Sequence, residues 1–463
     1  MAFKAGQERL TIERLHDVAR KREPVEISSA AMDRIKKCRA FLDRKIEQQA
    51  VMYGVTTGIG ELSEVVLTQE QIQDFQKYLV YSHTAGYGDP VAPEDVRGAM
   101  TSRIQVLCQG HSGPRPVVVE TLAAMLNKDV VPVMCQRGSV GASGDLSPMG
   151  QLALVVMGEG EAFYKGERMS GKAAMDKAGI PTLTLEARDG LAIINGSNVT
   201  AGMSANQFME ALRLIRTAEI ATAMSVSALN GNMLAYDERI HRVRGYAGAV
   251  ACAANVRKIT AGGEFMQAEG KRVQDAYALR STPQVTGAAR DSLRFVREMV
   301  ETELNGVGDN PIFFPDEEQV LTGANFQGTP LAVALETMGT CITMLGALSE
   351  RRLNRLMNPH LSMGLPAFLT KGAGMFSGMM LTQYSAGALV CENRILSHPA
   401  ATGSIPAAAD QEDFVSMSMT SAIKTKQILH HTDAILAIEL MGAAQGLELR
   451  GWKMAPGVQA AFD

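Results

Sequence analysis

Arg137-Gly-Ser-Val-Gly-Ala-Ser-Gly-Asp-Leu-Ser-Pro148 combines more small residues in a stricter spelling than any other stretch of the chain. Gly138, Gly141 and Gly144 relieve backbone crowding. Gly144 also has no Cβ to block an approach of its nitrogen to the carbonyl two residues back. A tight Gly/Ser loop joining two elements is the least this stretch can be. What more it does depends on the polar residues the rest of the chain supplies.

The 463 residues could make about three average domains or one long helical body. Hydrophobic residues at 46% with only 5% aromatic describe a chain rich in Ala, Gly and Met, which favours closely packed helices. The net charge of −4 comes from interspersed signs, which suggests neither a nucleic-acid patch nor a polybasic membrane surface, so small-molecule partners are expected. The opening Met-Ala-Phe-Lys-Ala-Gly-Gln-Glu-Arg-Leu lacks the apolar core of a signal peptide. No stretch approaches ~18 uninterrupted apolar residues, and a cytoplasmic protein is expected. Six scattered cysteines form no Cys-x-x-Cys pair, which fits neither a disulfide framework nor a metal knuckle.

Periodicity supplies the scaffold. Residues 8 to 47 read as short surface helices broken near Arg22-Glu23-Pro24, and Thr68-Gln-Glu-Gln71 has the form of a capping box opening a helix toward His83. Helical pattern resumes after Pro93 and again from Val118 to Leu126, and residues 158 to 169 read as a hairpin holding the only strands of that region. Long amphipathic helices are expected over 201–227, 288–304 and 331–357. The second carries Leu293, Val296, Val300 and Leu304 on one stripe. Surplus apolar faces and Gly339 and Gly346 in the third suggest a bundle to which more than one chain contributes.

Gly141-Ala-Ser-Gly-Asp-Leu-Ser-Pro148 resembles the signature of the aromatic amino acid ammonia-lyases and aminomutases. In that family the Ala-Ser-Gly tripeptide cyclises by itself. The resemblance thus implies a methylidene-imidazolone prosthetic group formed from Ala142, Ser143 and Gly144, with no external cofactor. Seven further segments match in the family's order. Met52-Tyr-Gly-Val-Thr-Thr-Gly-Ile-Gly60, with Thr56 and Ile59 as departures, implies that Tyr53 is the base that removes the β-proton. Its ordinary pKa near 10 then requires donors or positive charge to hold the phenolate.

Ser82-His83-x-Ala-Gly86 resembles the histidine-selective branch and makes His83 a contact to the substrate side chain. Asn195 matches an active-site hydrogen-bond donor in Ala192-Ile-Ile-Asn-Gly196, while Asn198 departs from the usual Gln. In Val273-Gln-Asp-Ala-Tyr-Ala-Leu-Arg280, Arg280 matches the arginine that forks onto the substrate carboxylate, and Gln274 and Tyr277 match residues lining the electrophile. Gly308-Asp-Asn-Pro311 and Thr322-Gly-Ala-Asn-Phe-Gln-Gly328, with Ala324 and Gln327 as departures, imply that Asn310 and Phe326 support the prosthetic ring. Met380 resembles a side-chain contact of the histidine branch. Phe376, Tyr384 and Phe414 stand where that branch carries other residues. Glu412, in Asp410-Gln-Glu-Asp-Phe-Val-Ser-Met417, is the letter that separates histidine from phenylalanine and tyrosine branches, because a carboxylate can accept an imidazole N–H.

The resemblance implies the mainly α ammonia-lyase/fumarase-like fold. Residues 1–200 would form a loop-rich α(+β) region carrying the cyclising loop, and residues 201–463 an oligomerising long-helix bundle with a short C-terminal cover. It implies a homotetramer with shared active sites, acting on an aromatic α-amino acid, L-histidine to trans-urocanate first. A lyase on a modified imidazole such as ergothioneine, a tyrosine or phenylalanine lyase or aminomutase, and an inactive helical scaffold are the other readings.

Overall fold

A computed structural model describes residues 2–463. Among the described residues there are seventeen α-helices and a few strands of three or four residues, so the chain is mainly helical. It resolves into two compact units, each discontinuous in sequence. One comprises Met1–Met209, Arg297–Leu335 and Pro399–Ile423; the other comprises Glu210–Val296, Glu336–His398 and Lys424–Asp463. The first change of unit falls after Met209. Four more follow; four of the five changes fall inside the helices Asn198–Ala228, Thr282–Asn305, Thr329–Met357 and Ser418–Arg450, which each begin in one unit and end in the other, and the fifth lies after His398, between helices.

In the first unit the helix Pro93–Leu107 is buried on every side from Asp95 onward. Gly98 and Gly202 let it meet the start of Asn198–Ala228 closely, since a Cβ on Gly202 would lie 2.5 Å from the Ala99 nitrogen. The region expected to hold short surface helices instead packs Ile12–Arg20 and the 19-residue Ser29–Glu47 inward on Leu15, Val18, Ile35, Phe41 and Leu42. Between them Val25–Ile27 pairs in parallel with Phe3–Ala5. The capping box at Thr68 forms as read and opens Gln69–His83.

The hairpin forms from Glu161–Tyr164 and Glu167–Ser170, but it does not hold the only strands nearby. Val130–Pro132 extends it to three strands, and Tyr87–Pro90 pairs with Cys135–Arg137. Strands of three residues are too short to show a period of two. The Cys135–Arg137 strand runs into the Gly-rich loop, and the helix Leu146–Val156 leaves it.

The second unit has its own core, with Met224, Leu229, Tyr236, Leu353, Leu356, Ile435 and Leu447 among its buried residues. Gly339 and Gly346 face Thr425 and Thr432, each close enough that a Cβ would lie 3.2 Å from the threonine oxygen. Glu439 is fully buried, paired by Arg352 at 2.5 and 2.7 Å and by the Ser225 hydroxyl at 2.7 Å, so this interior charge is neutralised and hydrogen-bonded. Thr329–Met357 is long and apolar enough by composition to cross a membrane, yet 56% of its most apolar window is buried in the protein. All six cysteines are free, four of them buried.

Candidate active site

The Gly-rich loop is held in a conformation that its glycines alone permit. Gly141 and Gly144 sit at φ 74° and 77°, in the left-handed region. A Cβ on Gly144 would stand 2.2 Å from the Gly196 carbonyl carbon, and one on Gly141 would stand 2.1 Å from Ser416 Oγ. On one side Gly196 N–H donates to the Ser143 carbonyl at 3.3 Å and Asp145 N–H to the Gly196 carbonyl at 2.9 Å. On the other, Met417 N–H donates to the Val140 carbonyl at 2.9 Å and the Ser416 hydroxyl to the Gly141 carbonyl at 3.2 Å. Asp145 is fully buried and accepts from Thr200 N–H at 2.7 Å and its hydroxyl at 3.0 Å. Burial outweighs these donors and pushes the Asp145 carboxyl up to about 6.

Ala142, Ser143 and Gly144 open onto a cavity of about 910 Å³ that Tyr53, His83, Asn195 and Glu412 also line. The Ser143 hydroxyl donates to Glu412 Oε1 at 3.0 Å. Tyr53 Oη accepts from Gly60 N–H at 3.0 Å. Burial raises the Tyr53 pKa and the Glu412 charge adds to it, against a downward pull from Gly60 N–H and Arg188. The cationic environment that a phenolate base calls for is thus outweighed here by burial.

His83 has a defined tautomer. Its Nδ1 lies 2.8 Å from the Leu79 carbonyl, which can only accept, so Nδ1 carries a proton, and it is the neutral ring that would present Nε2 as an acceptor. The Ser82 hydroxyl, which donates to the same carbonyl at 2.9 Å, stands 3.0 Å from Nδ1. Asn195 is 2% exposed; its Nδ2 donates to the Asn310 carbonyl at 2.8 Å, while its Oδ1 is buried without a partner. A buried acceptor left unbonded beside a cavity is costly and points to a ligand donor.

Beneath Asn195 lies a charge cluster that the sequence did not reveal. Asp309 is bonded by Arg188 at 2.6 Å and Arg103 at 2.8 Å, all three fully buried. Arg188 also donates to the Asn310 carbonyl at 3.0 Å, the acceptor that orients Asn195. Arg103 bonds Asn198 Oδ1 at 3.2 Å, and Asn198 Nδ2 donates to Ser102 Oγ at 2.9 Å, which gives Asn198 a structural place. Asn310 accepts on Oδ1 from Gly323 N–H at 2.9 Å, and the Phe326 carbonyl accepts from the Ser197 hydroxyl at 2.9 Å.

The remaining expected residues do not line this cavity. Gln274 and Arg280 line another, of about 340 Å³, within the second unit. There Arg280 stacks on the Tyr277 ring with its guanidinium carbon 4.5 Å from the centroid, its Nε buried and unbonded. Tyr277 is 71% exposed, and Phe376, Tyr384 and Phe414 are exposed as well. Met380 is half-buried at the start of the helix Met380–Leu396.

The model of the aromatic amino acid lyase family matches residues 10–463. The histidine ammonia-lyase of Alkaliphilus metalliredigens is 44% identical over 98% of this chain and 90% of its own length. Among solved structures, the histidine ammonia-lyase of Trypanosoma cruzi is 35% identical with a TM-score of 0.92, covering 100% of this chain and 88% of that one. The tyrosine aminomutase of Streptomyces globisporus is 34% identical with a TM-score of 0.95, covering 100% and 91%. On a match that takes in the Gly-rich loop, the cavity and the long helices alike, the chain belongs to the aromatic amino acid lyase family of enzymes.

Proposed function

We propose that this protein eliminates ammonia from L-histidine to give trans-urocanate, using a methylidene-imidazolone built from its own Ala142, Ser143 and Gly144. The loop suits that group: only glycine can occupy position 144 against Gly196, and the partnerless Asn195 Oδ1 awaits a donor at the same cavity. The group supplies an electrophilic carbon that turns the substrate's ammonium into a leaving group.

The chain's own residues do the rest. Tyr53 takes the β-proton. Asn195, oriented by the Asn310 carbonyl, offers Oδ1 to the α-amino group. His83 Nε2 and Glu412 are two acceptors for the two nitrogens of an imidazole ring, a pattern that a phenyl ring cannot answer. Arg280 binds the carboxylate, with Gln274 and Tyr277 beside it, and Phe326 supports the prosthetic ring. Because Gln274, Tyr277 and Arg280 belong to the second unit, we read the active form as a homotetramer in which more than one copy contributes to each site. Met380, Phe376, Tyr384 and Phe414 complete the substrate pocket on this reading, in a cytoplasmic enzyme.

The observation that carries the proposal is the Ser143 hydroxyl against Glu412 at 3.0 Å, which joins the residue to be activated with the carboxylate that reads imidazole. The test is to add L-histidine to the purified protein and follow urocanate absorbance, with Ser143→Ala as control and intact mass recorded in parallel. Urocanate that disappears in the variant, with a deficit of about two waters per native chain, is the expected result. A mass deficit with no urocanate would overturn the histidine assignment and direct attention to ergothioneine and then tyrosine. No deficit at all would leave the inactive scaffold as the reading.

A further inference from the structure

The geometry points to Ser139, outside the Ala-Ser-Gly tripeptide, as the positioning residue for ring closure; this rests on the reading that the tripeptide cyclises. Ser139 Oγ accepts from Gly141 N–H at 3.1 Å, and its own hydrogen has two acceptors in reach, the Gly144 carbonyl at 3.2 Å and Asp145 Oδ1 at 3.3 Å. One oxygen therefore ties the residue before Ala142 to the residues after Ser143. The tie is anchored, since Asp145 is itself held by Thr200 at the start of a long helix. On the outside the loop is confined by Gly196 and Ser416, as the short distances to any added Cβ show. The segment Gly141–Gly144 is thus bent around Ser139 and walled from both flanks. None of the Ser139 contacts uses the Gly144 nitrogen.

Ring closure joins the Gly144 nitrogen to the Ala142 carbonyl carbon. An amide nitrogen is a weak nucleophile because its lone pair is shared with the adjoining carbonyl, so close approach is what the fold can add. The Gly144 amide hydrogen passes to the Ala142 oxygen. That oxygen leaves as water with the Ser143 amide hydrogen, and a carbon–nitrogen double bond forms. A second water takes the Ser143 hydroxyl and the Ser143 Cα hydrogen, leaving the exocyclic methylidene. No oxidant or outside reactant enters, and no bond to Ser139 forms or breaks. Its hydroxyl keeps the two ends of the segment together while the first bond is made.

The experiment is a time course of cell-free synthesis, quenched at intervals and read by intact mass, for the native chain, Ser139→Ala, Ser139→Thr and Ser143→Ala. In Ser139→Ala the deficit of about two waters should arrive about tenfold later, the loss expected from one positioning hydrogen bond. Ser139→Thr, which keeps the oxygen, should follow the native course, with thermal melts of all variants close together. Arrival at the native rate in Ser139→Ala overturns the proposal. So does equal slowing in the Ala and Thr variants, which would assign the effect to packing. A native chain that never loses water, matching Ser143→Ala, would overturn the cyclisation reading itself and this proposal with it.

Discussion

Arg103 Nη2 donates to Asp309 Oδ2 at 2.8 Å where neither side chain meets solvent. The other Asp309 oxygen takes Arg188, and the spare guanidinium donors go to the carbonyls of Ala192, Gly308, Ser112 and Asn310. One carboxylate thus balances two interior cations. Asp309→Ala leaves both without a counter-charge, and about 3–5 kcal/mol of stability should be lost, read as a lower urea midpoint. An unchanged midpoint would mean that the surrounding carbonyls suffice.

Tyr53→Phe should keep the fold and reduce turnover by about a hundredfold to ten-thousandfold, the usual weight of a general base. The native enzyme should show a pH signature. Burial raises the phenol's pKa, so the reactive phenolate is the minor form at neutral pH and its share grows as pH rises toward that value. Turnover should therefore climb on the alkaline side, by about tenfold per unit well below the pKa. A pH–rate profile that falls from neutral upward contradicts Tyr53 as the base.

Glu412→Gln tests side-chain reading apart from chemistry. Gln keeps the shape and an acceptor but loses the charge, so kcat/KM for histidine should fall by about tenfold or more, as expected for a charge-assisted hydrogen bond. Tyrosine and phenylalanine should lose less, and the ratio of kcat/KM values is the readout. A uniform fall for all three substrates would place Glu412 in the chemistry common to them.

Gly144→Ala should never show the water deficit. A methyl group there would meet the Gly196 backbone at 2.2 Å with φ at 77°, so the loop must be displaced at a cost of about 3 kcal/mol. Intact mass and a thermal melt of the same sample check both statements.

Much of the scaffold and of the cavity is legible in local spelling. Leu293, Val296, Val300 and Leu304, three and four apart, are all buried as their spacing requires, and the Thr68 box opens the helix it announces. Tyr53, His83, Ser143, Asn195 and Glu412 stand in short runs whose residue types are unusual enough to single out, and they meet at one cavity. Arg103 gave no such signal, since an arginine in a helical run is ordinarily solvated and only burial reveals its partner 206 positions away. Ser139 gives no signal either, since a serine in a Gly-rich turn is ordinary turn chemistry. The helix Ser418–Arg450 has apolar residues all round, which blurs the stripe by which its neighbours are recognised.

Four long helices each begin in one compact unit and finish in the other. No single cut in the gene separates the two, and a truncation at four of the five boundaries cuts through a helix. An exchange of either unit with a relative would need several simultaneous crossovers, all but one landing within a helical register. The loop and the arginine cavity are therefore inherited as one linked block, and engineering of this chain by recombination should preserve both or neither.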